Sequence, residues 1–246
     1  MNNIEHIGKY FMMLGQVFKR PEKMKVFKET VFREIDDLGI SSLGIVVFIS
    51  FFIGGVVAIQ TGLNVDSPFI PKSLVGFATK RSVILEFSPT FISVILAGKV
   101  GSYITSSIGT MRVTEQIDAL EIMGVNSLSF LVLPKIIAAV FFYPFLIVIS
   151  MFFGILGGYY GGQVTGLFTG IEYIDGIQLD FNPFLLRYAI IKTVVFAFCI
   201  ATIPAYHGYY VKGGSLEVGR ASTKAVVWTM VAIVVLNYFL TQMLLG

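Results

Sequence analysis

The chain contains 246 residues, of which 55% are hydrophobic and only 13% are charged. Soluble domains carry about 25% charged residues, and 18 basic plus 15 acidic side chains are too few to cover a soluble core of this size. This composition excludes an ordinary soluble globule. The 23 Phe residues argue against disorder, and the single Cys199 excludes a disulfide scaffold within the chain. The sequence predicts an all-α, polytopic membrane protein.

Residues 1–37 are predicted to form two amphipathic helices that are separated at Pro21. Apolar residues recur at helical spacing on both sides of this proline, and basic residues occupy much of the remaining surface. The first apolar stripe consists of Ile4, Ile7, Phe11, Leu14 and Phe18. These two helices can lie in the inner membrane interface, or they can pack against the membrane spans as part of the protein core. The interface is favoured because the chain offers no soluble domain to pack on.

Five segments that carry little or no charge are long enough to cross a bilayer. They cover residues 38–63, 82–108, 131–160, 184–206 and 225–245, and we expect them to form a single permease domain over residues 1–246. Glycines at 154, 157, 158, 161 and 162 predict where the third helix leaves the bilayer.

The basic residues predict the orientation of these spans, because Lys and Arg remain on the cytoplasmic side during insertion. Twelve of them fall on the side of the N-terminus, against three on the other side, or five if Arg187 and Lys192 are included. The N-terminus is therefore expected in the cytoplasm and the C-terminus outside.

Three spans carry small residues at steps of four, a pattern that lets helices approach closely in lipid. The sets are Gly54, Ala58 and Gly62; Ala97, Gly101, Thr105 and Gly109; and Gly154, Gly158 and Gly162. Packing within one chain is favoured for each set, while a homodimer seam stays open for one of them.

Two charges in the second span, Glu86 and Lys99, each require a partner, because an ionised side chain facing lipid costs several kcal/mol. Glu86 either belongs to a polar site in an outward cavity or is a carboxylate at the end of a helix, and the residues favour neither. The neighbouring Ser88-Pro89 can loosen the helix at this position. Lys99 is predicted to be structural.

Residues 112–124 form an acidic segment that is predicted to be a short cytoplasmic helix. Val113, Ile117 and Leu120 share one stripe, and three carboxylates lie off it. Because anionic headgroups repel carboxylates, this segment suggests a protein partner, although periodicity alone favours a solvated loop helix.

A resemblance to a known family begins at these residues. Ala97-Gly-Lys-Val-Gly-Ser102, followed by Gly109-Thr-Met-Arg-Val-Thr-Glu-Gln-Ile-Asp-Ala-Leu-Glu-Ile-Met-Gly124, resembles the signature of the MlaE (YrbE-like) permeases. The likeness continues at 52–60, 133–135 and 219–227. These permeases are membrane subunits of ABC transporters that work with Mce-domain proteins to move lipids between the inner and outer membranes.

The resemblance implies a phospholipid-transporting permease of the bacterial inner membrane that helps to maintain outer-membrane lipid asymmetry. It implies that residues 112–124 are the coupling helix, which contacts a separate ATPase dimer through Glu115, Gln116, Asp118 and Leu120. ATP and Mg²⁺ would then bind the ATPase, and this chain would carry no cofactor. The other implied partners are a second permease copy and a hexameric ring of an Mce-domain protein.

The family's lipid cavity lies between the two permease copies, and its implied candidates here are Gln60, Leu63, Glu86 and Phe87. One departure concerns this cavity. Family members commonly carry Arg before the carboxylate, whereas this chain has Leu85. If that Arg pairs with the carboxylate or with a lipid headgroup in the family, the same role is expected to fall here to Lys80 or Arg81.

Catalytic functions find little support in the residues. The nearest string to a phosphate-binding loop, Ala97-Gly98-Lys99-Val100, lacks the following Ser or Thr and the required upstream glycine, so the chain is not expected to be an enzyme. We expect no metal site and no nucleic-acid partner. An ion-coupled secondary carrier for a small amphiphile remains as an alternative, although it would need acids at the membrane midplane. An intramembrane protease ranks lower, because Ser50 and Ser93 have no His nearby in sequence.

Overall fold

A computed structural model describes residues 3–18, 24–65, 70–180 and 182–245 of the chain. All regular elements in these ranges are helical. In chain order they are α1 (Asn3–Val17), α2 (Met24–Glu34), the first π-helix (Ile35–Ile40), α3 (Ser41–Asn64), α4 (Ser73–Ser82), the second π-helix (Val83–Phe91), α5 (Ile92–Val113), α6 (Gln116–Ile122), α7 (Ser127–Leu131), α8 (Leu133–Thr165), α9 (Gly170–Gln178), α10 (Pro183–Tyr209) and α11 (Ser215–Leu245).

Within the described ranges, five helical stretches are long and apolar enough to cross a membrane: Lys25–Asn64, Ser73–Val113, Ser127–Thr165, Pro183–Tyr209 and Ser215–Leu244. The prediction of an all-α protein with five transmembrane helices is confirmed. The helices extend beyond the predicted spans, because those spans covered only the length needed to cross a bilayer, while helices can continue into polar residues at both ends, as α11 does at Glu217 and Arg220.

Two compact units share the chain. Unit 1 contains Met1–Ser42, Val94–Phe142 and Val195–Phe239, and unit 2 contains Leu43–Ser93, Tyr143–Val194 and Leu240–Gly246. We expected one domain over the whole sequence. The division does not follow chain order, since α8, α10 and α11 each contribute residues to both units.

The second membrane-crossing stretch contains a π-helix, Val83–Phe91, with Pro89 inside it. Proline has no N–H to donate and its ring clashes with the preceding turn, and a π-helix is one way to accommodate such a residue. The helix was expected to loosen at Ser88-Pro89, and here it does so by widening into a π-helix. Its carboxylate, Glu86, lies in the middle of the widened segment.

The glycines of α8 are packing positions, and they do not end the helix, which continues unbroken to Thr165. In unit 2, a Cβ atom on Gly54 of α3 would lie 1.8 Å from the carbonyl oxygen of Gly154, and one on Gly157 would lie 1.9 Å from that of Phe51. Such contacts need bare backbone on both helices. These small-residue faces of α3 and α8 therefore serve packing within the chain.

The small residues of α5 pack within unit 1. A Cβ atom on Gly101 would lie 3.3 Å from Pro204 Cγ of α10, and the Thr105 hydroxyl donates to the Pro204 carbonyl at 3.1 Å. The small residues of α5 therefore also make packing contacts within the chain, as the sequence favoured.

Helix α1 packs through a face that the apolar stripe did not identify. Met13 and Val17 are fully buried, the His6 ring bonds the Tyr206 hydroxyl at 2.8 Å, and the Tyr10 hydroxyl bonds that of Thr202 at 2.7 Å. The predicted stripe is largely exposed, as at Ile7, Phe11 and Phe18, while the Ile4 side chain and Pro21 lie outside the described residues. The helix thus combines a packed face with an exposed apolar face, whereas we had treated these as alternatives.

Candidate functional site

Helix α6 is the ordered centre of the acidic segment and spans only Gln116–Ile122. Glu115 precedes it with a left-handed φ of 60°, and Gly124 follows it with a φ of 78°. Arg112 and Val113, which we expected in the coupling helix, are the last residues of α5. The chain changes direction at Glu115, and this turn separates the two helices.

Two of the three carboxylates in this segment bind groups of the chain itself. Asp118 pairs with Arg112 at 2.7 Å. Glu121 Oε1 accepts hydrogen bonds from the Tyr209 hydroxyl at 2.8 Å and from Ser127 Oγ at 3.0 Å. A third carboxylate, Glu115, is exposed. The segment is therefore anchored on one side and is not a freely solvated acidic helix.

The outward surface of α6 is partly apolar. Glu115 and Gln116 are exposed, and Leu120 is half-buried. Beyond them, Ile122 is 87% exposed and Met123 is 68% exposed. This apolar pair was not predicted, because neither residue falls on the stripe of Ile117 and Leu120. The signal that could have identified it is two large apolar residues directly before the glycine that ends an acidic helix.

In unit 2, Glu86 is paired with a lysine from another helix. Its Oε1 lies 2.8 Å from Nζ of Lys192, whose side chain is fully buried, whereas the Glu86 side chain is 38% exposed. Hydroxyls complete the cluster: Thr90 donates to Oε2 at 3.0 Å, and Thr241 and Tyr188 lie 3.4 and 3.5 Å from Oε1. Both carboxylate oxygens are thus hydrogen-bonded while part of the side chain is exposed, which fits neither of our alternatives completely.

The expectation that Lys80 or Arg81 pairs with Glu86 is wrong. Lys80 Nζ donates to the carbonyl oxygens of Ile177, Leu179 and Asp180, at 3.1, 2.6 and 3.3 Å. Arg81 lies with its guanidinium 5.9 Å from the Phe77 ring centre. The cation beside Glu86 is Lys192, which we had treated only as an orientation signal. The signal for it was a lysine inside the predicted fourth span, residues 184–206, where Arg187 is the one other Lys, Arg, Asp or Glu residue.

The other cavity candidates occupy different environments. Gln60 and Leu63 are exposed near the end of α3. Phe87 lines a cavity of about 10 Å³ together with Ile53 and Ser88.

Lys99 has the structural role that the sequence predicted. Its ammonium donates to the Ser41 carbonyl and lies 3.1 Å from the hydroxyl of Ser42. These serines follow the first π-helix directly, so Lys99 satisfies a carbonyl at the start of α3.

The amino-acid sequence is similar to known membrane permeases over most of its length. Residues 31–243 match the family Permease MlaE. The chain is 33% identical over 239 residues to the probable ABC transporter permease protein of Rickettsia bellii, covering 97% of this chain and 92% of that protein. It is 30% identical over 241 residues to the intermembrane phospholipid transport system permease protein MlaE of Haemophilus influenzae, covering 96% and 90%. It is also 29% identical over 232 residues to the chloroplastic protein TRIGALACTOSYLDIACYLGLYCEROL 1 of Arabidopsis thaliana, covering 94% and 66%.

The matched region contains all five membrane-crossing stretches apart from a few terminal residues, and it includes α6 and the Glu86 cluster. The resemblance inferred from residues 97–124 is thereby confirmed. The chain is a multi-pass membrane protein that belongs to the MlaE permease family.

Proposed function

We propose that this chain is the permease subunit of an ABC transporter that moves phospholipid between the inner and outer membranes and so maintains outer-membrane lipid asymmetry. The observation that carries the proposal is the outward face of α6 in a chain of this family. It presents Glu115 and Gln116 beside the exposed apolar pair Ile122 and Met123. Polar groups around an apolar contact are typical of a surface that docks on another protein.

In this proposal a separate ATPase dimer, with its ATP and Mg²⁺, binds at Glu115, Gln116, Asp118 and Leu120. The bilayer is the bacterial inner membrane, with the N-terminus in the cytoplasm and the C-terminus in the periplasm. A second copy of the permease completes the lipid pathway, and a hexameric ring of an Mce-domain protein receives or delivers lipid on the periplasmic side. Support comes from family membership and from the asymmetric distribution of Lys and Arg.

Charge reversal tests the docking surface. We expect Glu115→Lys with Asp118→Lys to abolish co-purification of the ATPase subunit. Because Asp118 also holds Arg112, the sharper variant is Glu115→Lys with Gln116→Lys, which leaves that bridge intact. Glu29→Lys, which reverses an exposed carboxylate on α2, is the matched control. If the ATPase stays bound to both double variants, the docking assignment is wrong.

Lipid contact is proposed at Gln60, Leu63, Glu86 and Phe87. The exposed part of the Glu86 side chain and the exposed Leu63 support it, since both are accessible from outside the chain. A photo-crosslinking residue at Gln60 or Phe87, in complexes held in native membrane, is expected to capture phospholipid, which mass spectrometry would identify. Labelling by water-soluble reagents alone would contradict the assignment.

A carrier mechanism would give a different result. If an ion gradient drove transport, the purified chain without an ATPase would move lipid between vesicles when a proton or sodium gradient was imposed. We expect no such movement, and a dependence on ATP in the assembled complex.

A further inference from the structure

The anchored face of α6 joins it to two membrane-crossing helices at once. Arg112, in the last turn of α5, holds Asp118 at 2.7 Å. Tyr209, the last residue of α10, holds Glu121 at 2.8 Å. Because all of these residues belong to unit 1, the contacts describe one compact body.

Further contacts close these bonds into a ring. Ser127 Oγ, at the start of α7, lies 2.9 Å from the Tyr209 hydroxyl and 3.0 Å from Glu121 Oε1. The Arg112 guanidinium lies 5.7 Å from the centre of the Tyr209 ring. Tyr209 is only 9% exposed, so its hydroxyl and ring are held among these partners.

A seven-residue helix cannot hold its shape alone, because isolated helices of this length are unstable in water. The left-handed Glu115 adds strain that persists only where the surroundings enforce the conformation. Buried Ile117 fixes the first turn of α6, and the bonds of Asp118 and Glu121, three residues apart, hold one face of the helix. The position of α6 is therefore set by these contacts and not by its own stability.

We propose that Tyr209, Glu121 and Ser127 form a latch of positioning residues that makes α10 move together with α6. This inference rests on the proposed function, because it concerns how motion of a docked ATPase would reach the membrane helices. Without the latch, α6 would stay attached to α5 through Arg112 and Asp118 and would still present Glu115 and Gln116. Binding of the ATPase would survive, while the direct connection between α6 and the end of α10 would be lost and only the indirect path through α5 would remain.

The test is Tyr209→Phe, which removes the hydroxyl and keeps the ring beside Arg112. The complex is purified through a tag on this chain and reconstituted in vesicles of phosphatidylethanolamine and phosphatidylglycerol. We expect ATPase retention within about twofold of the unmodified chain, and ATP-driven lipid movement lower by about fivefold, a coupling factor typical of linked sites. Glu121→Gln retains an acceptor for Tyr209 and is expected to restore most of the movement relative to Glu121→Ala.

Tyr103→Phe is the matched control, because it removes another tyrosine-to-carboxylate hydrogen bond in unit 1, at 3.0 Å from Asp37. It is expected to leave lipid movement unchanged. Equal losses of ATPase retention and lipid movement in Tyr209→Phe would mean a purely structural role and would overturn the latch, as would full activity. If no ATPase subunit co-purifies with the unmodified chain, the proposed function itself fails.

Discussion

The two compact units each contain a lysine paired with a glutamate, but the two pairs differ in how much of the glutamate side chain is exposed to solvent. In unit 1, the side chains of Lys135 and Glu34 are 5% and 11% exposed, so both charges are removed from solvent. In unit 2, Lys192 is fully buried, while Glu86 is 38% exposed. A pair whose two side chains are buried is suited to holding helices together, whereas a pair with a partly exposed glutamate side chain is also accessible to a ligand. This difference separates a structural charge pair from a candidate site.

The two pairs also differ in how many oxygens of the glutamate accept hydrogen bonds. Among the residues that the structure describes, Glu34 Oε2 has no hydrogen-bond partner. Both oxygens of Glu86 accept hydrogen bonds from hydroxyls or Lys192. Unit 2 therefore holds its carboxylate in a defined orientation, as a binding group requires, although it leaves that carboxylate more exposed.

Neutralising each partner in turn tests this comparison and has the largest expected effect. Glu86→Gln leaves a fully buried ammonium and is expected to cost about 3 kcal/mol, the lower end for a broken buried pair. Lys192→Met leaves a partly exposed carboxylate with its hydroxyl donors and is expected to cost about 1 kcal/mol. In unit 1, Glu34→Gln and Lys135→Met should each cost about 3 kcal/mol, because neither remaining charge reaches solvent.

Unfolding of the purified variants in detergent, followed by tryptophan fluorescence or scanning calorimetry, measures these differences. Equal losses from Glu86→Gln and Lys192→Met would remove the distinction between the units. A combined change of Glu34 and Lys135 to Met should cost less than either single change, since no charge is left without its partner.

Helix packing offers a second test, with an intermediate effect. In unit 2, Gly54→Ala drives a methyl group into the Gly154 backbone, which cannot rotate away as a side chain can. We expect a loss of about 1–3 kcal/mol. In unit 1, Gly101→Ala meets Pro204 Cγ at 3.3 Å, so a small shift of the ring suffices and the loss should be smaller.

Gly44→Ala is the control on the same helix as Gly54, because a methyl group there meets nothing within 4 Å. It should be neutral or slightly stabilising, as alanine is the better helix former. The thermal unfolding midpoints of the three variants measure the order of their stabilities. A Gly101→Ala variant less stable than Gly54→Ala would contradict the closer approach of helices in unit 2.

The smallest expected effect is the loss of stability at low pH when the carboxylate that caps α9 becomes protonated. Glu172 Oε2 accepts from the Thr169 backbone N–H at 2.7 Å, and this bond, with a second from the Thr169 hydroxyl, holds the pKa of Glu172 below its ordinary value of 4.5. A lowered pKa means that the cap stabilises the fold above about pH 4.5 and that this contribution is lost as the pH falls further. Since the group is close to solvent, we expect less than about 1 kcal/mol.

The cap of α7 in unit 1 provides the comparison, because it uses the amide oxygen of Asn126, which does not titrate. Hydrogen exchange between pH 6 and pH 3.5, corrected for the intrinsic rate, should therefore show α9 losing protection before α7. Glu172→Gln should remove most of the pH dependence of α9. Equal loss in both helices would show that the capping carboxylate is not responsible.

Much of the candidate docking site could be predicted from the sequence, while much of the candidate lipid site could not. The acidic segment is continuous, so its helix, its terminal glycine and the exposure of Glu115 follow from local pattern. The partner of Glu86 is 106 residues away along the chain, and nothing local distinguishes Lys192 from Lys80 or Arg81 as the cation. The same holds for Glu121 and Tyr209, which are 88 residues apart.

The sequence by itself determined the class of the molecule, its five apolar helices and its family, because hydropathy and a continuous signature are properties of short stretches of chain. Only the tertiary structure decided which small-residue faces meet, which face of α1 is buried and which cation pairs with Glu86. These outcomes depend on the rotation and depth at which long helices pack against one another. In lipid, many rotations bury similar apolar surface, so backbone contacts between glycines and a few polar pairs select one of them.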